Sequence, residues 1–219
     1  MLHSVSEVSL VIDIASFSFS FRKMADPLKV VLVGSSAVGK TSFFTMFETK
    51  TFPGFHLSSS LGISIGNVEV DVGQVVTVSM WDTAGQERFN SVNSSYYQNA
   101  VGAILMFDLS REETFGDITK HMTQIYKVVD PSEIELVLVG NKKDIKDGRQ
   151  VSCEDAEELS AQYGNIPYFE ITTQHYGEVS KVVSNLVSRI ARRPCRPRST
   201  STVNLQEQPA NLKRCCLEG

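Results

Sequence analysis

The chain has no stretch of roughly 18 or more consecutive apolar residues, so none of it reads as a membrane span. Cysteine is scarce. Four residues in 219, two of them adjacent at Cys215 and Cys216, supply no disulfide framework and read as reduced, cytosolic thiols. A basic excess is lacking as well: 21 Lys+Arg stand against 25 Asp+Glu, with a net charge of −4 and a pI of about 5.6. That balance argues against nucleic acid as a partner, which needs a basic face. Internal repeats are absent. Neither Cys153 nor the histidines His3, His56, His121 and His175 have metal-ligand spacing, so surface or packing roles are assigned to them. The stretch Ser9–Phe21 is moderately apolar but holds Asp13 and lacks a basic lead-in, which makes it a poor signal peptide. Residues 1–25 are read as a disordered extension or an upstream artefact, because Met24 opens a compact start at MADPLKVVLVG. The alternative is a buried extra strand.

The length suits one sizeable domain with a tail. Charge is uneven. Ala191–Gly219 holds six Lys/Arg and two Asp/Glu, and the rest of the chain holds 15 against 23. An acidic body with a basic tail points to the tail as the part that meets an anionic surface. Short runs rich in Val, Ile and Leu at Leu28–Val33, Val101–Phe107 and Ile134–Val139 have the length of strands covered on both faces. Ile65–Val72 and Val75–Trp81 flank Gly73-Gln74 and predict an antiparallel hairpin, and Pro167–Ile171 predicts a sixth strand. Helices are predicted over Lys40–Glu48, Glu112–Val129, Cys153–Tyr163 and Gly177–Arg192, with Ser152 as an N-cap. Strand–helix alternation predicts a doubly wound α/β domain over residues 26–192, with ligands at the carboxyl ends of the strands. Residues 193–219, rich in Pro, Arg, Ser and Thr, are read as a disordered tail.

Four segments carry chemistry. The first, GSSAVGKT (Gly34, Ser35, Ser36, Ala37, Val38, Gly39, Lys40, Thr41), matches G-x-x-x-x-G-K-[ST] between a predicted strand and helix. Successive backbone N–H groups in such a loop wrap a β-phosphate, and the helix N-terminus adds its positive dipole end. Gly34 and Gly39 permit close backbone approach, Lys40 is expected to reach the β- and γ-phosphates, and Thr41 to offer its hydroxyl to Mg²⁺. Ser42, the residue that follows, is counted with the loop among the nucleotide-binding residues. The second segment is the serine cluster Ser58–Ser60. In the third, WDTAGQE, Asp82 stands where a carboxylate holds Mg²⁺ through water, and Gly85 can turn its N–H to a γ-phosphate. Gln86 is placed to orient an attacking water. In the fourth, NKKD, Asp144 is expected to accept from guanine N1–H and the exocyclic amine. Asn141 is expected to contact the purine edge and Lys142 to lay its stem along the ring. Adenine would leave that carboxylate unpaired.

These residues resemble the small GTPases of the Ras superfamily, and within it the Rab branch. The resemblance rests on WDTAGQERF at Trp81–Phe89, YYQNA at Tyr96–Ala100 and the terminal cysteine pair, and it covers about Lys29 to Ile190 and the last five residues. It implies a P-loop GTPase fold: a six-stranded, mostly parallel sheet with one antiparallel strand and helices on both faces. It also implies cycling between GTP and GDP with Mg²⁺, and a role in vesicle traffic. The implied partners are an exchange factor, a GTPase-activating protein, a GDP-dissociation inhibitor, a prenylation escort and effectors. The implied location is the cytoplasmic face of an intracellular membrane, reached through C-terminal lipid on Cys215 and Cys216, with a cytosolic pool. Phe52 looks like the residue that stacks on the base.

The chain departs from the Rab pattern in three places. Where Rab proteins carry Thr-Ile-Gly, this chain reads Ser58-Ser59-Ser60-Leu61-Gly62. Counting back from Gly62 selects Ser60 as the ligand of Mg²⁺ and γ-phosphate; counting forward from Phe52 selects Ser59. Where Rab proteins read Ser-Ala-Lys, this chain has Thr172-Thr173-Gln174, from which the Thr173 N–H can still reach guanine O6. Ala37 replaces a glycine common among relatives. Some Rab proteins also have alanine there, but the altered serine segment and Thr172–Gln174 keep a guanine-nucleotide binding scaffold that does not hydrolyse beside the GTPase as the rival reading, against which Gln86 argues.

Overall fold

The computed structural model describes residues 26–54, 63–82, 94–145 and 147–193. The amino-terminal extension, the Ser58–Ser60 cluster, Gly85, Gln86 and the tail with Cys215 and Cys216 lie outside the described residues.

Six strands form one sheet. In chain order they are β1 (Leu28–Val33), β2 (Ser64–Asp71), β3 (Val75–Asp82), β4 (Gly102–Asp108), β5 (Glu135–Asn141) and β6 (Tyr168–Glu170), arranged in space as β2-β3-β1-β4-β5-β6. All neighbours pair in parallel except β2 and β3. β1, β4 and β5 sit in the middle, where both faces are covered, which is why their sequences are near-continuous apolar runs. β2 and β3 alternate instead, β2 between exposed positions and buried or half-buried ones and β3 between buried and mostly half-buried ones, as expected of an antiparallel pair toward the sheet edge. Gly73, at φ +92°, makes their turn, and its N–H donates to Asp71 Oδ1.

The helices are α1 (Lys40–Thr49), α2 (Glu112–Gly116), α3 (Ile118–Tyr126), α4 (Cys153–Gln162) and α5 (Tyr176–Arg192). Alternate residues of β1 point to opposite sides of the sheet. Val30 and Leu32 join the layer of α1 and α5; Val31 and Val33 join the layer of α3 and α4. α5 shows the strongest pattern. Val179, Val182, Val183, Leu186, Val187 and Ile190 are all buried at three- and four-residue spacing, each such burial contributing about 1.5–3 kcal/mol. Among the described residues no helix is long and apolar enough to cross a membrane.

Two sequence expectations shift. The single helix over Glu112–Val129 is two, broken at Asp117 after Gly116, a residue that weakens helix interiors. The Asp117 carboxylate is also engaged outside the helix, by Ser35. Strands β4 and β5 each run further than their apolar stretches suggest, to the polar residues Asp108 and Asn141, which are register partners. Ser152 does cap α4: its side chain accepts from Asp155 N–H.

Candidate functional site

The carboxyl ends of β1, β3, β4, β5 and β6 lie at one edge of the domain, and those of the predicted site residues that are described, Phe52 apart, lie on or beside them. After β1 the chain passes through Gly34 at φ +152°, Ala37 at φ +62° and Gly39 at φ +103° before α1 begins at Lys40. A Cβ on Gly39 would stand 2.3 Å from Asn141 Nδ2, so the loop lies directly against the end of β5. Ala37 occupies the left-handed region, where a side chain costs about 1–2 kcal/mol. A glycine there would relieve that cost.

Lys40 is buried, and its ammonium turns inward to donate to the carbonyls of Gly34 and Ser35, both at 2.8 Å. Val38 is fully buried and Ser42 half-buried. The Thr41 hydroxyl donates to Asp82 Oδ2 at 2.7 Å, and Asp82 is inaccessible to solvent. A hydroxyl and a carboxylate brought together are hard oxygen donors of the kind Mg²⁺ takes, and the loop ahead of α1 brings backbone amides and a helix N-terminus of the kind a phosphate takes. The residues present fit both groups.

On the other side of the site, Asn141 acts as a brace. Its Nδ2 donates to Val38 O at 2.8 Å, and its Oδ1 accepts from the Thr173 N–H at 3.2 Å. One carboxamide thus joins the phosphate loop to the turn after β6. Lys142, at φ +67°, pairs through Nζ with Asp108 Oδ2 at 2.7 Å. Asp144 is exposed, and its Oδ2 accepts from Gln174 Nε2 at 3.1 Å, while Thr172 and Thr173 are buried. Phe52 is half-buried against the core layer that includes α1 and α5.

Three supporting residues escaped the sequence reading. Asp108 is 1% exposed and accepts from Ser110, Arg111 and Lys142. Burial pushes its carboxyl upward, but hydrogen bonds from Lys142 and Ser110 outweigh burial and hold it below the ordinary carboxylate range. Arg111 carries the connection onward, donating from Nη2 to Ser36 O at 2.9 Å. Asp117 accepts from Ser35 Oγ at 2.9 Å. The one signal for any of them is the charge that closes the apolar run of β4 at Asp108.

A strand, a glycine loop and a helix with an inward-turned lysine, set at the carboxyl edge of this mostly parallel sheet, define a nucleotide-binding protein of the P-loop GTPase fold. A family model for the Ras family matches residues 29–192. The chain is 36% identical to Ras-related protein Rab-12 of Mus musculus over 167 residues, 76% of this chain and 68% of that one. It is 33% identical to Rab-9A of Mus musculus over 195 residues, covering 86% and 96%, and 34% identical to RABA5a of Arabidopsis thaliana over 185 residues, covering 84% and 82%. The chain belongs to the Ras family as a small GTPase of the Rab type, and guanine-nucleotide binding comes with that membership.

Proposed function

We propose that this protein is a GTP-hydrolysing switch that cycles between GTP- and GDP-bound states and regulates vesicle traffic from the cytoplasmic face of an intracellular membrane. The observation that carries the reading is the convergence of Lys40, the Thr41–Asp82 pair and the Asn141 brace on one sheet edge. In this reading the amides of Gly34–Thr41, with Ser42 behind them, hold the phosphates, and Lys40 exchanges its carbonyl partners for phosphate oxygens. Thr41, Ser60 and Asp82 hold Mg²⁺, which neutralises charge on the transferring phosphoryl group when bound. Gly85 senses the γ-phosphate and Gln86 orients water. Asp144 reads the base, with Asn141, Lys142, Phe52, Thr172, Thr173 and Gln174 around it. Hydrolysis is slow alone and is accelerated by an activating protein that supplies an arginine in trans. An exchange factor, a GDP-dissociation inhibitor, a prenylation escort and effectors complete the cycle.

Single-turnover GTP hydrolysis tests this. Gln86→Leu is expected to retain GTP yet slow activated hydrolysis by about 100-fold or more, the scale for a misplaced reactant. Hydrolysis at the unmodified rate removes Gln86 from the mechanism. Tight GTP binding by the unmodified chain with no turnover, even with an activating protein, establishes the non-hydrolysing scaffold instead.

The basic tail, residues 193–219, acts in this reading as a tether ending in lipid-modified Cys215 and Cys216. Each buried lipid methylene contributes about 0.8 kcal/mol, so two prenyl chains outweigh a few exposed arginines. Cys215→Ser with Cys216→Ser is expected to move the GTP-bound protein from the membrane fraction to the soluble one. Continued sedimentation with membranes, nucleotide binding intact, rules out the lipid anchor.

A further inference from the structure

The base side of the site consists of two separate segments, Asn141–Asp144 at the end of β5 and Thr172–Gln174 after β6. A third element, α5, ties them together. Glu178, in its first turn, accepts the Thr172 N–H on Oε2 at 2.8 Å, and its Oε1 pairs with Lys143 Nζ. His175 Nδ1 stands 3.6 Å from the same oxygen. One carboxylate therefore grips the backbone of one segment and a side chain of the other. The Lys143 N–H adds a bond to Ile171 O at 3.1 Å, so the two segments run side by side where Glu178 holds them.

An acid near a helix start is commonly a cap for its own helix. Glu178 is turned elsewhere. Its Oε2 reaches back six residues to Thr172, outside α5, and His175, the N-cap residue, makes no side-chain cap bond. The next residue, Val179, is fully buried, which fixes the point from which Glu178 projects. Burial pushes its carboxyl upward, but Lys143 and the Thr172 N–H more than offset this and keep it ionised. Both of its principal contacts are thus charge-assisted, the stronger class of hydrogen bond.

We propose that Glu178 is a positioning residue for the guanine base, setting the separation between the Asp144 reader and the Thr173 turn and so the time the nucleotide stays bound. The proposal rests on the guanine-nucleotide reading given above. In that reading Asp144 takes N1–H and the exocyclic amine, and the Thr173 N–H, which donates to Asn141 Oδ1 in this structure, turns to the purine C6 oxygen when the base binds. Loosening either segment relative to the other weakens base contacts and leaves the phosphate loop as it is.

Release of fluorescent GDP from the full chain tests the proposal. Glu178→Ala is expected to speed release about tenfold, the scale for losing a charge-assisted hydrogen bond. Glu178→Gln keeps an acceptor for the Thr172 N–H and is expected to restore part of the retention, matching Lys143→Ala, which removes only the ion pair. The double variant Glu178→Ala with Lys143→Ala is expected to release GDP no faster than Glu178→Ala alone, because both changes break one unit. The preference for GDP over IDP, which lacks the exocyclic amine, is expected to shrink in Glu178→Ala. General loosening of the fold would weaken both nucleotides equally and leave that ratio unchanged. Unaltered release in Glu178→Ala, or faster release with additive effects and an unchanged GDP:IDP ratio, overturns the clamp while the nucleotide reading stands. Should Glu178→Ala fail to fold, Glu178→Gln and Lys143→Ala carry the same comparison. Failure of the unmodified chain to retain GDP overturns the nucleotide reading and the clamp with it.

Discussion

Gly34→Ala is expected to destabilise the protein by about 3 kcal/mol or more and to abolish nucleotide retention. The new Cβ would stand 2.1 Å from Met106 O and 3.3 Å from Val38 Cγ2. Met106 lies in β4, fully buried and paired with Val139 of β5, so its carbonyl has little room to retreat. The loop must move instead, and with it the amides proposed above to hold the phosphates. A backbone φ of +152° adds strain for any side chain. Gly116→Ala supplies the contrast. Nothing lies within 4 Å of its Cβ position, and it sits within α2, so alanine there is expected to stabilise by about 0.5–1 kcal/mol. Denaturant midpoints and GDP retention measured on both variants check the pair. Unchanged stability and retention in Gly34→Ala contradict the close approach of loop and strand.

Asp144→Asn is expected to weaken GTP binding by about 10⁴-fold and to shift preference toward xanthine nucleotides. A carboxylate accepts two donors from guanine; an amide presents a donor, which matches the xanthine carbonyl at C2. The structure makes this a clean substitution. Asp144 is exposed, and the carbonyl oxygen of an asparagine can still accept from Gln174 Nε2, as Asp144 Oδ2 does at 3.1 Å. The surrounding turn therefore keeps its main tie, and the change reads base chemistry rather than folding. Titrations with GDP and XDP measure it, with unfolding midpoints as the control. Equal affinity of the unmodified chain for GTP and ATP refutes guanine specificity altogether.

Strands were legible wherever β-branched residues ran together, as in Leu28–Val33, because burial on both faces demands apolar residues at every position. The ends of β4 and β5 were less so. Asp108 and Asn141 interrupt the apolar pattern, because their side chains bond to the loops at this edge while the ladder still continues through their backbones. The α2–α3 break was invisible because Gly116 and Asp117 fall within an otherwise continuous helical periodicity. The phosphate loop, Asp82 and NKKD could be read because each lies in one short segment of recognisable spacing. The supports could not. Arg111 reaches Ser36 across 75 residues and Ser35 reaches Asp117 across 82, and no local pattern records contacts so distant in the chain.

Those distant contacts bear on the entropy of binding. Ser35 is held by Asp117, Ser36 by Arg111 and Val38 by Asn141, so three of the loop's residues are tied to three distant positions: between α2 and α3, just before α2, and at the end of β5. A loop that waits for its ligand to order it spends interaction free energy on lost chain freedom, about 1–2 kcal/mol for each backbone residue fixed. Here folding has already imposed that order. An arriving polyphosphate meets amides whose directions are set, and its contacts can be expressed as affinity rather than diverted into arranging the receptor.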